Sequence, residues 1–383
     1  MRRREFITLL GGAAAAAWPL AARAQQAMPV VGFLSSRSPG ESAEVVAAFR
    51  RGLRQMGFVE GENVIIAFRW AEGHYERLPT LASDLVDLHI AVLFAAGGAP
   101  SAFAAKAATP TIPIVFVASD PVRLGLVTSL NQPSGNVTGI SNLVTELGGK
   151  SLGLLKQMLP SAEIIAYLTN PSNPSAKTFL SGARAAANTL GIQVHELSAN
   201  TPTDVDEAFT TLAKLRIAAL GVMGDGFFDG LRDRLVELSA RHRIAGCYPW
   251  REYVLAGGLM SYGTNLADSY RQGGIYTGRV LRGEGPSSLP VMEPTKFEFV
   301  LNLKTAKNAW PHRAPWHSFH RRRSDRMMRH DVRFWHKADI LIAWANVRFR
   351  GNSGHRPSES LMPAFDPKRT LPSAVLPTSN LPV

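Results

Sequence analysis

Polar and glycine-rich segments directly follow the short apolar runs of this chain, and they carry residue types that bind small molecules. They are Ser35 and Ser36, then Gly97, Gly98 and Ser101, Ser119 and Asp120, Asn170, Asp225, Tyr248 and Trp250, and Tyr262. Hydroxyl and backbone N–H groups bind a carboxylate, an aspartate binds an amine, and Tyr or Trp rings pack against an apolar side chain. As a set, these residues predict a site for a small zwitterionic or polar ligand with an apolar part.

A structural role is the alternative for each of these residues taken singly. Serine and glycine at strand ends often form turns. Asp225 could cap a helix, and Tyr248 and Trp250 could pack at the edge of a domain. The prediction therefore depends on the whole set.

The motifs of several enzyme classes are absent from the sequence. No G-x-G-x-x-G follows the first apolar run, and there is no G-x-x-x-x-G-K-[ST], G-x-S-x-G or H-E-x-x-H. Cys247, the single cysteine, ends an apolar run, which predicts a buried side chain and excludes an intrachain disulfide or a thiolate metal cluster. We therefore expect a binding protein without catalytic residues, metal or cofactor.

Alternating strands and amphipathic helices must position the candidate residues. Apolar runs at 30–34, 63–68, 90–94 and 112–117 predict strands, with helices at 43–56, 77–88 and 101–108 between them. The alternation restarts with a helix at 149–158 and continues through a helix at 228–241 to a strand at 244–247. This order predicts an α/β fold with parallel sheets in two lobes that join near residues 137–149. The predicted strands at 259–263 and 297–301 and the helix at 267–281 could belong to either lobe.

The N-terminus has the pattern of an export signal. Arg2 to Arg4 precede an apolar stretch from Phe6 to Leu20, and Ala22 to Ala24 form a small-x-small cleavage site. The stretch is short for a membrane span. Its start, Arg3-Arg4-Glu5-Phe6-Ile7, resembles the twin-arginine signal, with an ordinary secretory signal as the alternative. We expect residues 1–24 to be removed near Ala24 and the mature protein to reside in the bacterial periplasm.

The net charge of +12 comes from the two ends of the chain. Residues 310–383 hold 13 Lys and Arg against 5 Asp and Glu, and residues 1–24 hold four Arg against one Glu. Residues 25–309 therefore carry a net charge of only +1. The high isoelectric point gives no reason to expect a nucleic-acid partner for the body of the protein.

Several segments resemble one known family. They are Thr111–Phe116, Asp120-Pro121-Val122 with Gly125-Leu126-Val127, Pro133–Gly139, Asn170–Pro174, Pro294–Glu298 and Asn302–Lys307. They are similar to the periplasmic substrate-binding components of ABC-type transporters, in the group that includes tryptophan- and tyrosine-binding members. The resemblance covers residues 28–308.

This resemblance implies the type I periplasmic binding fold, with two Rossmann-like lobes joined by a three-crossover hinge. Residues 28–140 and 262–288 would form lobe 1, and residues 141–261 and 289–308 lobe 2. A small-molecule ligand, such as an aromatic or aliphatic amino acid, would be enclosed between the lobes. A monomeric body would deliver it to an ABC permease in the inner membrane. The alternatives are a periplasmic sensor that reports to a receptor and an exported enzyme with Asp120 or Asp225 as general base.

The chain departs from the family pattern at about Asn308. Residues 320–340 read HRRRSDRMMRHDVRFWHKADI, unlike anything upstream. When the codons possible for Trp310 to Trp316 are shifted by one base, they permit Gly-Leu-Thr-Val-Pro-Pro-Gly, which resembles the usual ending of the family. We therefore hypothesise a frameshift near Lys307 and expect residues 309–383 to be an aberrant, disordered tail. The alternatives are a selected disordered tail, a nucleic-acid-binding arm, and a metal site at His317, His320, His330 and His336.

Overall fold

The computed structural model describes most of the body of the chain. The described residues are 28–133, 135–142, 144–294, 297–309, 332–334 and 340–345. The predicted export signal, residues 1–24, lies outside them. None of the helices in the described ranges is long and apolar enough to cross a membrane.

The first lobe is built on a five-stranded parallel sheet. Its strands are β1 (Val30–Ser35), β2 (Ile65–Trp70), β3 (Val92–Ala96), β4 (Ile114–Ala118) and β5 (Val137–Ser141), in the order β2-β1-β3-β4-β5. Helices α1 (Ala43–Gln55), α2 (Leu78–Asp87) and α3 (Ala99–Ala108) connect them. Strands β3, β4 and β5 are buried along their whole length, as expected for apolar strands of a sheet that is covered on both faces.

The second lobe repeats this plan. Strands β6 (Ile164–Thr169), β7 (Gln193–Ser198), β8 (Ala219–Val222), β9 (Ala245–Tyr248) and β10 (Met260–Thr264) are parallel and run in the order β7-β6-β8-β9-β10. Strand β11 (Phe297–Asn302) adds to β10 in the antiparallel direction. The helices are α4 (Val144–Met158), α5 (Ala176–Leu190), α6 (Pro202–Leu215), α7 (Gly226–Gly230), α8 (Arg232–Arg241) and α9 (Arg251–Leu255). These two sheets confirm the predicted α/β fold with two lobes.

Helix α10 (Leu266–Leu281) returns to the first lobe and packs against α1. Glycines permit the close approach of the two helices. A Cβ atom at Gly52 would lie 2.0 Å from the carbonyl oxygen of Arg271, and one at Gly274 would lie 2.2 Å from that of Phe49. The return begins after Thr264, slightly later than the predicted boundary at residue 262, because β10 belongs to the second sheet throughout its length.

Three crossings join the lobes. The first follows β5, the second lies between β10 and α10, and the third lies between α10 and β11. The third runs beside the first, since the Met292 N–H donates to the Gly139 carbonyl at 2.9 Å and the Ser141 N–H donates to the Met292 carbonyl at 2.8 Å. Asn142 links the first crossing to α10, because its Oδ1 accepts a hydrogen bond from Ser269 Oγ at 3.0 Å.

Two details differ from the sequence prediction. The helix expected at 228–241 is divided at Leu231 into α7 and α8, and α9 was not predicted.

After α11 (Leu303–Ala309), two short strands of the tail are described, β12 (Val332–Phe334) and β13 (Ile340–Ala345). Strand β13 pairs with β11 and β12 pairs with β13, both antiparallel. The rest of residues 310–383 lies outside the described residues, so the frameshift stays a hypothesis.

Candidate ligand site between the lobes

The strand order of each lobe places a crevice at a defined point. In the order 2-1-3-4-5, ligands bind at the carboxyl ends of the first and third strands, where the direction of winding changes. In the first lobe these ends lead into Ser35-Ser36-Arg37 and Gly97-Gly98, and in the second lobe into Asn170 and Gly224-Asp225. The two crevices face each other.

A cavity lies between these strand ends and is lined by both lobes. Its lining residues are Arg37, Gly97, Gly98, Val117, Ala118, Ser119, Asn142, Gly224, Asp225, Gly226, Asp229, Trp250, Leu266 and Tyr270. Its volume of about 40 Å³ is far below the roughly 300–1,000 Å³ of ordinary ligand pockets. The lobes meet closely beside it, since a Cβ atom on Gly226 would lie only 2.4 Å from Ser36 Oγ. A ligand of amino-acid size therefore fits only if the lobes separate.

The structure brings five of the predicted site residues to this cavity: Gly97, Gly98, Ser119, Asp225 and Trp250. Ser35, Ser36 and Ser101 are buried next to these segments but do not line the cavity. Ser36 Oγ donates to the Gly97 carbonyl at 2.7 Å, and Ser35 Oγ accepts from the Arg37 N–H at 3.1 Å. These two serines therefore shape the loops that carry the site.

Three predicted residues, Tyr248, Tyr262 and Asp120, do not line this cavity. Tyr248 points into the second lobe, where its hydroxyl donates to Ser239 Oγ at 2.8 Å and its ring stacks on Tyr253. Tyr262 stacks on Phe297. Successive side chains of a strand point to opposite faces, so an aromatic residue near a strand end does not always face the crevice. Asp120 lies in a turn with a φ of 48° and does not line the cavity.

Two charged residues that the sequence prediction missed form an ion pair across the cavity. Arg37 Nη1 of the first lobe donates to Asp229 Oδ2 of the second, and both side chains are 5% exposed. The hydroxyl of Tyr253 donates to the other oxygen of Asp229 at 3.0 Å. Arg37 directly follows the predicted Ser35-Ser36, and Asp229 lies one helical turn after Asp225. Both residues could therefore have been predicted from their closeness in sequence to other predicted site residues.

Asp225 is held by residues of its own lobe, as the helix-cap alternative suggested. Its Oδ1 accepts from the Phe227 N–H at 3.0 Å and from Asn170 Nδ2 at 3.2 Å, and its Oδ2 accepts from Asn173 Nδ2 at 2.7 Å. The hydroxyl of Tyr75 faces the same carboxylate, and burial together with that charge raises the pKa of the phenol. Asp225 therefore fixes the start of α7 and has little capacity left for a ligand.

The buried charges have shifted pKa values. Burial raises the pKa of Asp229 to about 6, although the nearby Arg37 lowers it. Burial lowers the pKa of Arg37, but Asp229, Tyr270, Glu41 and Tyr253 together more than compensate, and the result is above the ordinary value. The charged and titratable groups that face Asp229 are Arg37, Glu41, Tyr75, Asp225, Glu252, Tyr253 and Tyr270.

Three donors that belong to cavity-lining residues lack a partner within the described part of the chain. They are Arg37 Nε, Trp250 Nε1 and the hydroxyl of Tyr270. A buried polar group without a hydrogen bond costs about 1–3 kcal/mol, so such groups are rare and call for an explanation. Several unpartnered donors around one cavity are suited to a ligand that carries acceptor atoms, such as a carboxylate.

A second, larger pocket lies at the outer side of the cleft. It has a volume of about 450 Å³ and is lined by both lobes, with Tyr75 and His74 on one side and Asn170, Asn200 and Phe227 on the other. Asn170 therefore lies at this pocket and behind Asp225 rather than at the inner cavity. Among the described residues, no group of three or more His, Cys, Asp and Glu side chains could hold a metal ion.

Solved structures share this two-lobed arrangement. A conserved domain protein from Vibrio cholerae is 25% identical, with a TM-score of 0.69 over 74% of this chain and 94% of that one. An ABC domain from Streptococcus pneumoniae in complex with L-Trp is 23% identical, with a TM-score of 0.68 over 73% and 94% of the two chains. A substrate-binding protein with adhesive properties from Clostridium difficile, in a ligand-free, open structure, is 27% identical with a TM-score of 0.55 over 75% and 96%.

Sequence comparison assigns the family. A tyrosine-binding protein of Clostridioides difficile is 28% identical over 260 residues, which covers 68% of this chain and 74% of the relative. The family model described as ABC transporter substrate binding protein matches residues 30–309. The strand order, the inter-lobe cavity and this match agree, and the chain belongs to the family of ABC transporter substrate-binding proteins.

Proposed function

We propose that this protein is the periplasmic solute-binding component of an ABC importer, which captures an amino acid between its lobes and delivers it to a membrane permease. The observation that carries the proposal is the set of donors and opposite charges around the inter-lobe cavity. Arg37, Trp250 and Tyr270 offer donors to a carboxylate, and Asp229 offers an acceptor to an ammonium group. The N-terminal sequence pattern supports export to the periplasm.

An aromatic amino acid is the first candidate ligand. The relative from Clostridioides difficile carries the name tyrosine-binding protein. Aromatic rings lie on both sides of the cleft, with Trp250 and Tyr270 at the inner cavity and Tyr75 and Phe227 at the outer pocket. Since the inner cavity is small, we expect the ligand's polar end to bind there and its side chain to extend into space that opens when the lobes part.

Binding and transport would follow from lobe closure. Contacts with both lobes favour the closed form over the open form, because a ligand shifts an equilibrium by its difference in affinity for the two states. The permease would then receive the closed form. The enzyme alternative has less support, since Asp225 already accepts three hydrogen bonds and Asp120 does not line the cavity.

A thermal-shift screen of the purified protein against the twenty amino acids, with sugars and nucleosides as comparison classes, tests this proposal. A ligand at a hundred times its Kd stabilises the folded state by about 2.7 kcal/mol, and we expect the melting temperature to rise by roughly 5–10 °C. Calorimetry then gives the Kd. If no amino acid shifts the melting temperature while a sugar or nucleoside does, the proposed ligand class is wrong. Uptake of the labelled ligand by cells that lack this protein tests the transport step.

A further inference from the structure

The Arg37–Asp229 ion pair lies where a ligand must bind. Both residues line the inter-lobe cavity, one on each lobe, and they are joined by a direct hydrogen bond. With about 40 Å³ of space beside them, no amino acid can enter while the pair is intact. Opening the lobes must therefore separate the two charges.

Polar groups next to Arg37 and Asp229 could hydrogen-bond to a ligand once the ion pair is broken. Among the cavity-lining groups, Arg37 Nε, the indole N–H of Trp250 and the O–H of Tyr270 donate to no acceptor within the described ranges. The oxygen of Tyr270 faces the Gly97 N–H, so its proton is the part left for a ligand. Asp229 is held in place by the Tyr253 hydroxyl at 3.0 Å, which leaves Oδ2, the oxygen now bound to Arg37, for exchange. The donors at the cavity, two on the first lobe and the Trp250 indole on the second, are therefore suited to an anion, and Asp229 is suited to a cation.

Burial restricts what can replace the pair. Both side chains are 5% exposed in the closed form, and a buried charge without a partner is strongly unfavourable. A neutral ligand would leave both charges unpaired, and a ligand with one charge would leave the other unpaired. A zwitterion satisfies both.

We propose that the ligand exchanges with this ion pair: its carboxylate replaces Asp229 at Arg37, and its ammonium group replaces Arg37 at Asp229. The inference rests on the proposed function and narrows it, since it selects α-amino acids over simple carboxylates, amines and sugars. Arg37 and Asp229 then determine specificity for the two charges, while the remaining contacts select the side chain.

Two ligand series test the exchange by calorimetry. One is L-tyrosine with its deaminated and decarboxylated analogues, 3-(4-hydroxyphenyl)propionate and tyramine. The other is L-leucine with 4-methylpentanoate and isoamylamine. We expect the wild type to bind the amino acid of at least one series roughly 100-fold more tightly than either analogue, because each analogue leaves one buried charge unpaired.

The variants Asp229→Asn and Arg37→Gln separate the two halves of the exchange. We expect D229N to lose most of the preference for the amino acid over the deaminated acid, to within about tenfold, because the asparagine no longer needs an ammonium partner. We expect R37Q to lose most of the preference for the amino acid over the amine, because the glutamine no longer needs a carboxylate partner. The double variant R37Q/D229N leaves no unpaired charge, and its melting curve shows whether the lobes still fold when both charges are removed.

The control is Arg234→Gln, which breaks an ion pair with Asp206 on the exposed surface of the second lobe. It should leave all affinities unchanged. If D229N and R37Q weaken the amino acid and both analogues by the same factor, their role is structural and the exchange is refuted, while the proposed function stands. If the wild type binds neither amino acid, the series is repeated with the amino acid that gives the largest thermal shift. If none of the twenty amino acids binds, the proposed function and this inference both fail.

Discussion

Gly226 lies at the point where the lobes meet, and Gly226→Ala should hold them apart. A Cβ atom there would lie 2.4 Å from Ser36 Oγ and 3.2 Å from Ser36 Cβ, and all three of its nearest atoms belong to Ser36 in the other lobe. Overpacking of this kind costs about 1–3 kcal/mol, here in the closed form alone. The ratio of closed to open molecules should fall by roughly 5- to 150-fold.

The stability of the second lobe should not suffer from the same substitution. Gly226 is the first residue of α7 and does not have a positive φ, so alanine can adopt its backbone conformation. A Gly→Ala change at such a position stabilises a protein by about 0.4–1 kcal/mol, because it reduces the conformational entropy of the unfolded chain. We therefore expect an equal or higher melting temperature together with weaker ligand binding. A substitution that merely destabilised the second lobe would lower both the melting temperature and the affinity for the ligand.

The inter-lobe distance can be measured with labels at Leu88→Cys and Leu215→Cys, one on each lobe, where the native side chains are 46% and 51% exposed. The native Cys247 should not react, because it is buried and burial raises the pKa of its thiol to about 12. We expect Gly226→Ala to shift the distribution of distances towards longer values, and the second change Ser36→Gly to reverse the shift.

Gly230→Ala is the matched control, since it lies in the same helix and its added Cβ would meet nothing closer than 3.9 Å. It should leave the distance and the affinity unchanged. An unchanged distance distribution in Gly226→Ala would refute the reasoning, and so would an equal shift in both variants.

Three further predictions concern the buried polar groups. Burial raises the pKa of Asp229 from 3.8 to about 6, so the folded protein binds this proton more tightly than the unfolded chain does. The free energy of unfolding should therefore rise by about 1 kcal/mol from pH 8 to pH 5, relative to D229N measured by urea unfolding; a fall would show that the attraction of Arg37 outweighs burial. Tyr270→Phe should weaken ligand binding by roughly tenfold without destabilising the protein, whereas Tyr248→Phe should cost about 1 kcal/mol of stability and leave the affinity unchanged. Calorimetry and urea unfolding of both variants would expose the reverse pattern. Asp225→Ala should lower the free energy of unfolding by about 2–4 kcal/mol, because it removes a helix cap and leaves buried amide donors unpaired; a loss below 0.5 kcal/mol in the same assay would contradict the structural role given to this residue.

The positions of the main strands and helices could be predicted from the sequence. Continuous apolar runs predicted β1 and β3, and apolar residues spaced three and four positions apart predicted α1. These patterns are visible in the sequence because burial within a sheet or on one helix face requires apolar residues at those positions. The expectation that residues directly after the strands contact a ligand also identified five residues that line the cavity: Gly97, Gly98, Ser119, Asp225 and Trp250. The break between α7 and α8 had no clear local signal.

The identity of the charged pair depended on tertiary structure. Arg37 and Asp229 are far apart in the chain, and nothing in either segment shows that the lobes bring them into contact. Tyr270 reaches the cavity from a helix that returns to the first lobe, while Tyr248, at a strand end, turns into the second. Local sequence determined which segments form strands and helices, because their periodicity follows from local backbone geometry and burial. Only the closed arrangement of the two lobes decided which side chains meet, because those contacts join segments that the sequence keeps apart.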